Sequence, residues 1–143
     1  MLVKQISVFI ENKKGKLAEI TRVLKDHNVD ISAISIADTE NFGILRMIAN
    51  NQENAVKCIR EAGYPVNTTE VIAIEVPDHP GGLHKVLEIL EQRGISIEYL
   101  YSFVRAKSEK ALILFKVENP ETAVETLEGS GVKVLSDREV YEL

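Results

Sequence analysis

The sequence predicts an α+β protein built from two tandem ferredoxin-like βαββαβ units, each an antiparallel sheet with helices on one face. Three observations predict it. The chain repeats itself: at a shift of 66 residues Ile6 falls on Ile72, Gly15 on Gly81, Leu17 on Leu83, Leu24 on Leu90 and Ile31 on Ile97. Each copy also changes between strand-like runs and helix-like periodicity in the order strand, helix, strand, strand, helix, strand, the split βαβ arrangement. Finally, a repeat of this length exceeds most solenoid units and suits one small α+β module.

The elements follow in order. Val3 to Ile10 is rich in Val, Ile and Phe and stops at the polar run Glu11-Asn12-Lys13-Lys14-Gly15, which reads as a strand and its loop. Leu17, Ile20, Val23 and Leu24 then form one stripe of a helix that ends near His27-Asn28. Its twin carries Leu83, Val86, Leu87 and Leu90, with Gly94 just beyond its end as the left-handed terminator. Val29 to Ile36 and Phe42 to Ile48 predict an antiparallel pair around Asp38-Thr39-Glu40-Asn41. In the second copy Ile95 to Val104 and Ala111 to Val117 do the same around Lys107-Ser108-Glu109-Lys110. Second helices carry Ala55, Cys58, Ile59 and Ala62 in one copy and Ala123, Val124 and Leu127 in the other, with Asn50 equivalent to Asn119. Cys58 sits on the apolar stripe, where a thiol serves as a small hydrophobe. Val66 to Thr69 closes the first unit and Val71 to Val76 opens the second with no linker between them. The tail Arg138 to Leu143 aligns with Glu70 to Glu75 and predicts a further strand docked on a partner unit or subunit.

The repeat divides the 143 residues into domains 1–70 and 71–143. Modules this small bury a modest share of their surface, so each is expected to lean on the other. Residues 1–70 carry 9 Lys/Arg against 9 Asp/Glu, and residues 71–143 carry 8 against 13, which gives the net charge of −5. A neutral half and an acidic half offer no long-range attraction to nucleic acid. No apolar run approaches the roughly 20 residues that span a bilayer, so no membrane partner is expected. A single cysteine rules out an intrachain disulfide. With no secretory pattern at the N-terminus, a cytoplasmic location is expected.

The most specific local feature is the first strand-to-helix junction: Asn12-Lys13-Lys14-Gly15-Lys16-Leu17 in one copy and Asp78-His79-Pro80-Gly81-Gly82-Leu83 in the other. Glycine lets backbone approach a ligand, and first-turn N–H groups with the helix dipole attract a carboxylate. Asn12 or Asp78 at the rim can hold an ammonium group. Capping of the helix alone also accounts for either loop singly; its appearance in both copies favours a shared role.

At these residues the chain resembles the ACT domain, a small regulatory module that binds amino acids. The resemblance covers essentially the whole chain as two modules without a catalytic domain. It rests on the strand, the Asn/Asp-x-x-Gly-x-Leu loop and helix, and the Val/Ile-Asp/Ser-Ile start of the next strand. Phe42-Gly-Ile-Leu-Arg46 is similar to the third strand of stand-alone tandem ACT proteins. The resemblance implies a ligand between ACT units, touching Asn12 or Asp78, the amides of Gly15, Lys16 and Leu17 or of Gly81, Gly82 and Leu83 next to Pro80, and the second-strand starts Asp30-Ile31 or Ser96-Ile97. Lys14 stands where the family often has proline, as Pro80 in the second copy, which leaves the first loop less rigid. Pairing of the two units would set Asn12 against Ser96 and Asp78 against Asp30. The site with two carboxylates then favours a free amino acid bearing extra positive charge, such as histidine.

The expected function is therefore a non-catalytic amino-acid sensor without a cofactor or metal, a homodimer acting on an enzyme of amino-acid metabolism. The alternative is a regulatory subunit that recruits such an enzyme through its sheet edges without binding a small ligand. Catalysis is the weakest reading. Neither loop has the arginine of acylphosphatase-like enzymes, and no P-loop, Ser–His–Asp or Cys–His set can be assembled. Asp78, His79 and His84 lack metal-ligand spacing.

Overall fold

The computed structural model describes residues 2–104 and 109–143. The chain divides into two compact units. The N-terminal unit comprises Lys4–Thr69 with Tyr141–Leu143; the C-terminal unit comprises Glu70–Val140 with Leu2 and Val3.

The N-terminal unit contains β1 (Val3–Glu11), α1 (Lys16–Asp26), β2 (Ile31–Asp38), β3 (Phe42–Ala49), α2 (Gln52–Glu61) and the opening stretch of β4 (Val66–Pro77). Its strands run antiparallel with β1 between β3 and β4 and β2 at the edge. Alternation sends Ile6, Val8 and Ile10 of β1 and Leu45 and Met47 of β3 to the helix side. There they meet Ile20 and Leu24 of α1 and Ala55, Cys58 and Ile59 of α2 in one core. Cys58 is buried, which pushes its thiol pKa up, as expected for a packing residue. Ala62 is exposed beyond the end of α2 rather than on its buried face.

The C-terminal unit repeats the plan with the rest of β4, then α3 (Gly82–Gln92), β5 (Ile97–Ser102), β6 (Lys110–Val117), α4 (Pro120–Gly129), β7 (Lys133–Val134) and α5 (Asp137–Tyr141). Here β4 lies between β6 and β7, with β5 beyond β6. Ile72, Ile74, Val86, Leu90, Phe115 and Leu127 are among the residues of its core. The repeat extends to fine detail. A bulge interrupts the register between Ile31 and Ala33, and another between Ile97 and Tyr99. Gly94 takes φ 68° past α3, and Asn28 takes φ 56° past α1. Asparagine tolerates that left-handed turn better than other non-glycine residues.

Two expectations are corrected. The C-terminal tail is not a strand. Asp137–Tyr141 is helical because Ser136 and Glu139 form a reciprocal capping box: Ser136 N–H donates to the Glu139 carboxylate (2.8 Å) and Glu139 N–H to Ser136 Oγ (3.2 Å). Val140 is thereby buried, and the Tyr141 hydroxyl accepts the Lys4 N–H at 3.0 Å. The partner of Asn119 is Asn51, not Asn50. Both cap a helix with a side-chain oxygen 3.3 Å from the amide of the third residue on, Asn51 to Asn54 and Asn119 to Thr122. In the turn expected at Lys107-Ser108-Glu109-Lys110, Lys107 and Ser108 lie outside the described residues.

Candidate functional site

Both strand-to-helix junctions close in the same way. β1 ends at Glu11, and Lys13 N–H turns back onto the Glu11 carbonyl (2.8 Å); β4 ends at Pro77, and His79 N–H turns back onto the Pro77 carbonyl (3.0 Å). Each helix then starts from a left-handed glycine, Gly15 at φ 87° and Gly81 at φ 91°. A β-carbon on either would meet no atom within 4 Å, so open space faces both glycines. Their role is to supply the positive φ and to leave the helix entrance bare.

Neither helix is capped by a side chain. Asn12 instead donates from Nδ2 to Asp38 Oδ1 (2.9 Å), and its N–H bonds to the Asn41 carbonyl, which ties the first loop to the β2–β3 turn. Asp78 N–H donates to the Glu109 carbonyl at 3.2 Å. Helix geometry denies an intrahelical acceptor to the first-turn amides of Leu17 and Ala18 and of Leu83 and His84, and no capping side chain provides one. Capping therefore does not account for Asn12 or Asp78. Leu17 projects outward, 40% exposed.

Asp30 and Ile31 stand elsewhere in the N-terminal unit. Asp30 and Asn50 exchange bonds: Asp30 N–H donates to Asn50 Oδ1 (2.9 Å) and Asn50 N–H to the Asp30 carbonyl (3.1 Å). Ile31 and Asp38 are at opposite ends of β2, roughly 23 Å apart at strand spacing. The structure thus brings Asn12, Gly15, Lys16 and Leu17 together and holds Asp30 and Ile31 at the far end of the sheet. Asp78 to Leu83 and Ser96-Ile97 are placed in the same way within the C-terminal unit. Ser96 lines an open hollow with Glu98, Lys116 and Glu118, in which Lys116 Nζ is 2.7 Å from the Glu98 carboxylate.

The two loops also differ. Gly82 is buried against the Pro77 carbonyl, so its missing side chain serves packing. Its counterpart Lys16 extends its ammonium to 6.0 Å from the centre of the Tyr64 ring. Sequence reasoning missed Tyr64, although its counterpart in the repeat is Val132 and that mismatch was visible.

The whole chain, residues 1–143, matches the family described as the ACT domain pair. The chain belongs to that family. A crystal structure of a Bacteroides thetaiotaomicron protein is 38% identical to this ACT domain pair, with 100% of this chain and 98% of that one covered and a TM-score of 0.93. The regulatory subunits of aspartate kinase from Thermus thermophilus and Thermus flavus share the fold, at 16% and 15% identity and TM-scores of 0.62 and 0.59. They cover 90% of this chain in each case, and 93% and 92% of their own. No curated protein matches the chain. Among the described residues, no group of three or more His, Cys, Asp or Glu could hold a metal, and no helix is long and apolar enough to cross a membrane.

Proposed function

We propose that this ACT domain pair is a non-catalytic regulatory protein that binds a free amino acid at its strand-to-helix loops. The observation that carries the reading is the pair of uncapped helix entrances, each opened by a left-handed glycine facing empty space. Bare N–H groups at a helix start recognise a carboxylate. Asn12 and Asp78 lie beside them to take the ammonium group, with Gly15, Lys16 and Leu17, or Pro80, Gly81, Gly82 and Leu83, presenting the backbone. The second-strand starts Asp30-Ile31 and Ser96-Ile97 cannot reach a ligand on the loop of their own unit. In this proposal they act on ligand carried by another ACT unit.

Calorimetric titration of the full chain with each of the twenty amino acids tests the reading, and heat with at least one is expected. No heat with any would favour the second reading, a subunit that acts on an enzyme through protein contacts alone. The use of this fold as a regulatory subunit of aspartate kinase supports that alternative at the level of fold.

A further inference from the structure

We propose that the N-terminal unit holds a second site, for α-amino acids with a large apolar side chain, in the recess between the end of β1, the first turn of α1 and the turn from α2 to β4; it adjoins the loop site at Lys16, whose side chain it uses where the loop uses the backbone. It rests on the reading that the chain binds free amino acids, and it adds a place and a ligand class.

The recess has a volume of about 270 Å³, and Phe9, Lys16, Glu19, Phe42 and Tyr64 are among the residues that line it. That is the small end of ligand pockets, too small for a peptide or dinucleotide and suited to one amino acid. Tyr64 is only 9% exposed, and its hydroxyl is buried without a hydrogen-bond partner. Such a group is costly to leave unmade and calls for an explanation. Burial first, then the neighbouring Glu19 and Glu11 carboxylates, push its pKa up to about 12, so it stays protonated. Glu19 is the acceptor nearest the hydroxyl and raises its pKa through hydrogen bonding as well as charge, but the two stand just outside the distance and angle of a full hydrogen bond.

The charges around the recess are one of each sign. Glu11 is committed to Lys13, at 2.8 Å. Lys16 and Glu19 have no ion-pair partner among the described residues. An ammonium and a carboxylate that lack ion-pair partners, beside a hydroxyl donor, together complement a zwitterion. Its carboxylate would take Lys16 and the Tyr64 hydroxyl, and its ammonium would take Glu19. Phe9 and Phe42, 47% and 55% exposed, supply the apolar surface for its side chain.

The fold itself does not demand this chemistry. In the second copy Val132 stands for Tyr64, Gly82 for Lys16, Glu75 for Phe9 and Lys110 for Phe42, and the same turn closes around them. This set of lining side chains belongs to the first copy alone.

Calorimetry of the full chain with L-phenylalanine and L-leucine, compared with L-lysine and L-aspartate, tests the site. Tyr64→Phe removes only the hydroxyl, and Lys16→Gln only the charge. The apolar amino acids should bind, and each variant should weaken them about 10-fold, the scale of one hydrogen bond to a charged group. Tyr64→Phe should leave the binding of any other amino acid unchanged. If the chain binds other amino acids but neither phenylalanine nor leucine, this site is overturned and the loop reading stands. Unchanged affinity in Tyr64→Phe, with or without a lower melting temperature, assigns the hydroxyl to structure and also overturns it. Absence of binding by every amino acid overturns both.

Discussion

Gly82 at the start of α3 is pressed against Pro77 at the end of β4: a β-carbon on Gly82 would collide with the Pro77 carbonyl oxygen and lie 3.2 Å from its carbonyl carbon. The obstacle is backbone, which cannot swing aside as a flexible side chain would. Close approach of helix to strand thus depends on this residue having no side chain. Lys16 occupies the equivalent place in the first copy, so the two junctions differ in how tightly they close.

Gly82→Ala should therefore destabilise the protein, although alanine is the better helix former by about 1 kcal/mol. A loss of about 1–3 kcal/mol is expected from the overpacking. Lys16→Ala should change stability by no more than about 0.5 kcal/mol, as surface substitutions do. Urea denaturation of both variants measures the contrast. Equal midpoints would show that the Pro77 contact relaxes at no cost.

A second prediction concerns acid. Bonding to the Ser136 amide, with help from Lys133 at 3.1 Å, lowers the Glu139 pKa from 4.5 to about 2. A depressed folded-state pKa stabilises the fold above the unfolded value, and that contribution disappears as pH falls through the folded one. Glu139→Ala should therefore lower the melting temperature at pH 7. The gap from the unmodified chain should narrow from about pH 4.5 down to about pH 2. A gap independent of pH would mean that Glu139 acts by packing.

The fold was legible in the sequence because two signals agreed: the 66-residue repeat and the change of period at each junction. Gly15, Gly81 and Gly94 were legible too, since each marks a chain reversal that the backbone requires. The tail misled because its resemblance to the β4 sequence is real, whereas Ser136 and Glu139, three residues apart, decide the local structure. Registration by a single asparagine failed at Asn50 because Asn51 beside it does the capping. The Pro77–Gly82 contact and the buried hydroxyl of Tyr64 depend on tertiary placement, which periodicity cannot convey. Exposed Leu17 shows the same limit, since it falls on the apolar stripe by spacing but lies beyond the end of the core.

Gly81→Val tests the loops as the binding site. Its β-carbon would enter the open space before the bare amides of α3, where a ligand carboxylate is proposed to sit. The branched residue also strains a φ of 91°, by roughly 1–2 kcal/mol. Gly81→Ala, which carries the same backbone strain with less bulk, is the control. Binding should be lost in the valine variant and retained in part in the alanine variant, while circular dichroism shows both folded. Undiminished binding in a folded Gly81→Val protein would exclude this loop.

Charge at the second-strand starts gives the last prediction. Asp30 holds Asn50 through its backbone N–H and carbonyl, so Asp30→Asn keeps that pairing and the side-chain size while removing one negative charge. If Asp30 meets the ammonium or a cationic side chain of the ligand, the substitution should weaken binding by more than about 1 kcal/mol. The loss should be greatest for histidine, lysine or arginine, and should shrink as salt screens the attraction. Asn12→Ala removes a neutral amide that already bonds Asp38 at 2.9 Å, so it should cost less and depend little on salt. Calorimetry at low and high ionic strength separates the two. Equal losses from both substitutions, insensitive to salt, would show that shape and hydrogen bonding, not charge, select the ligand.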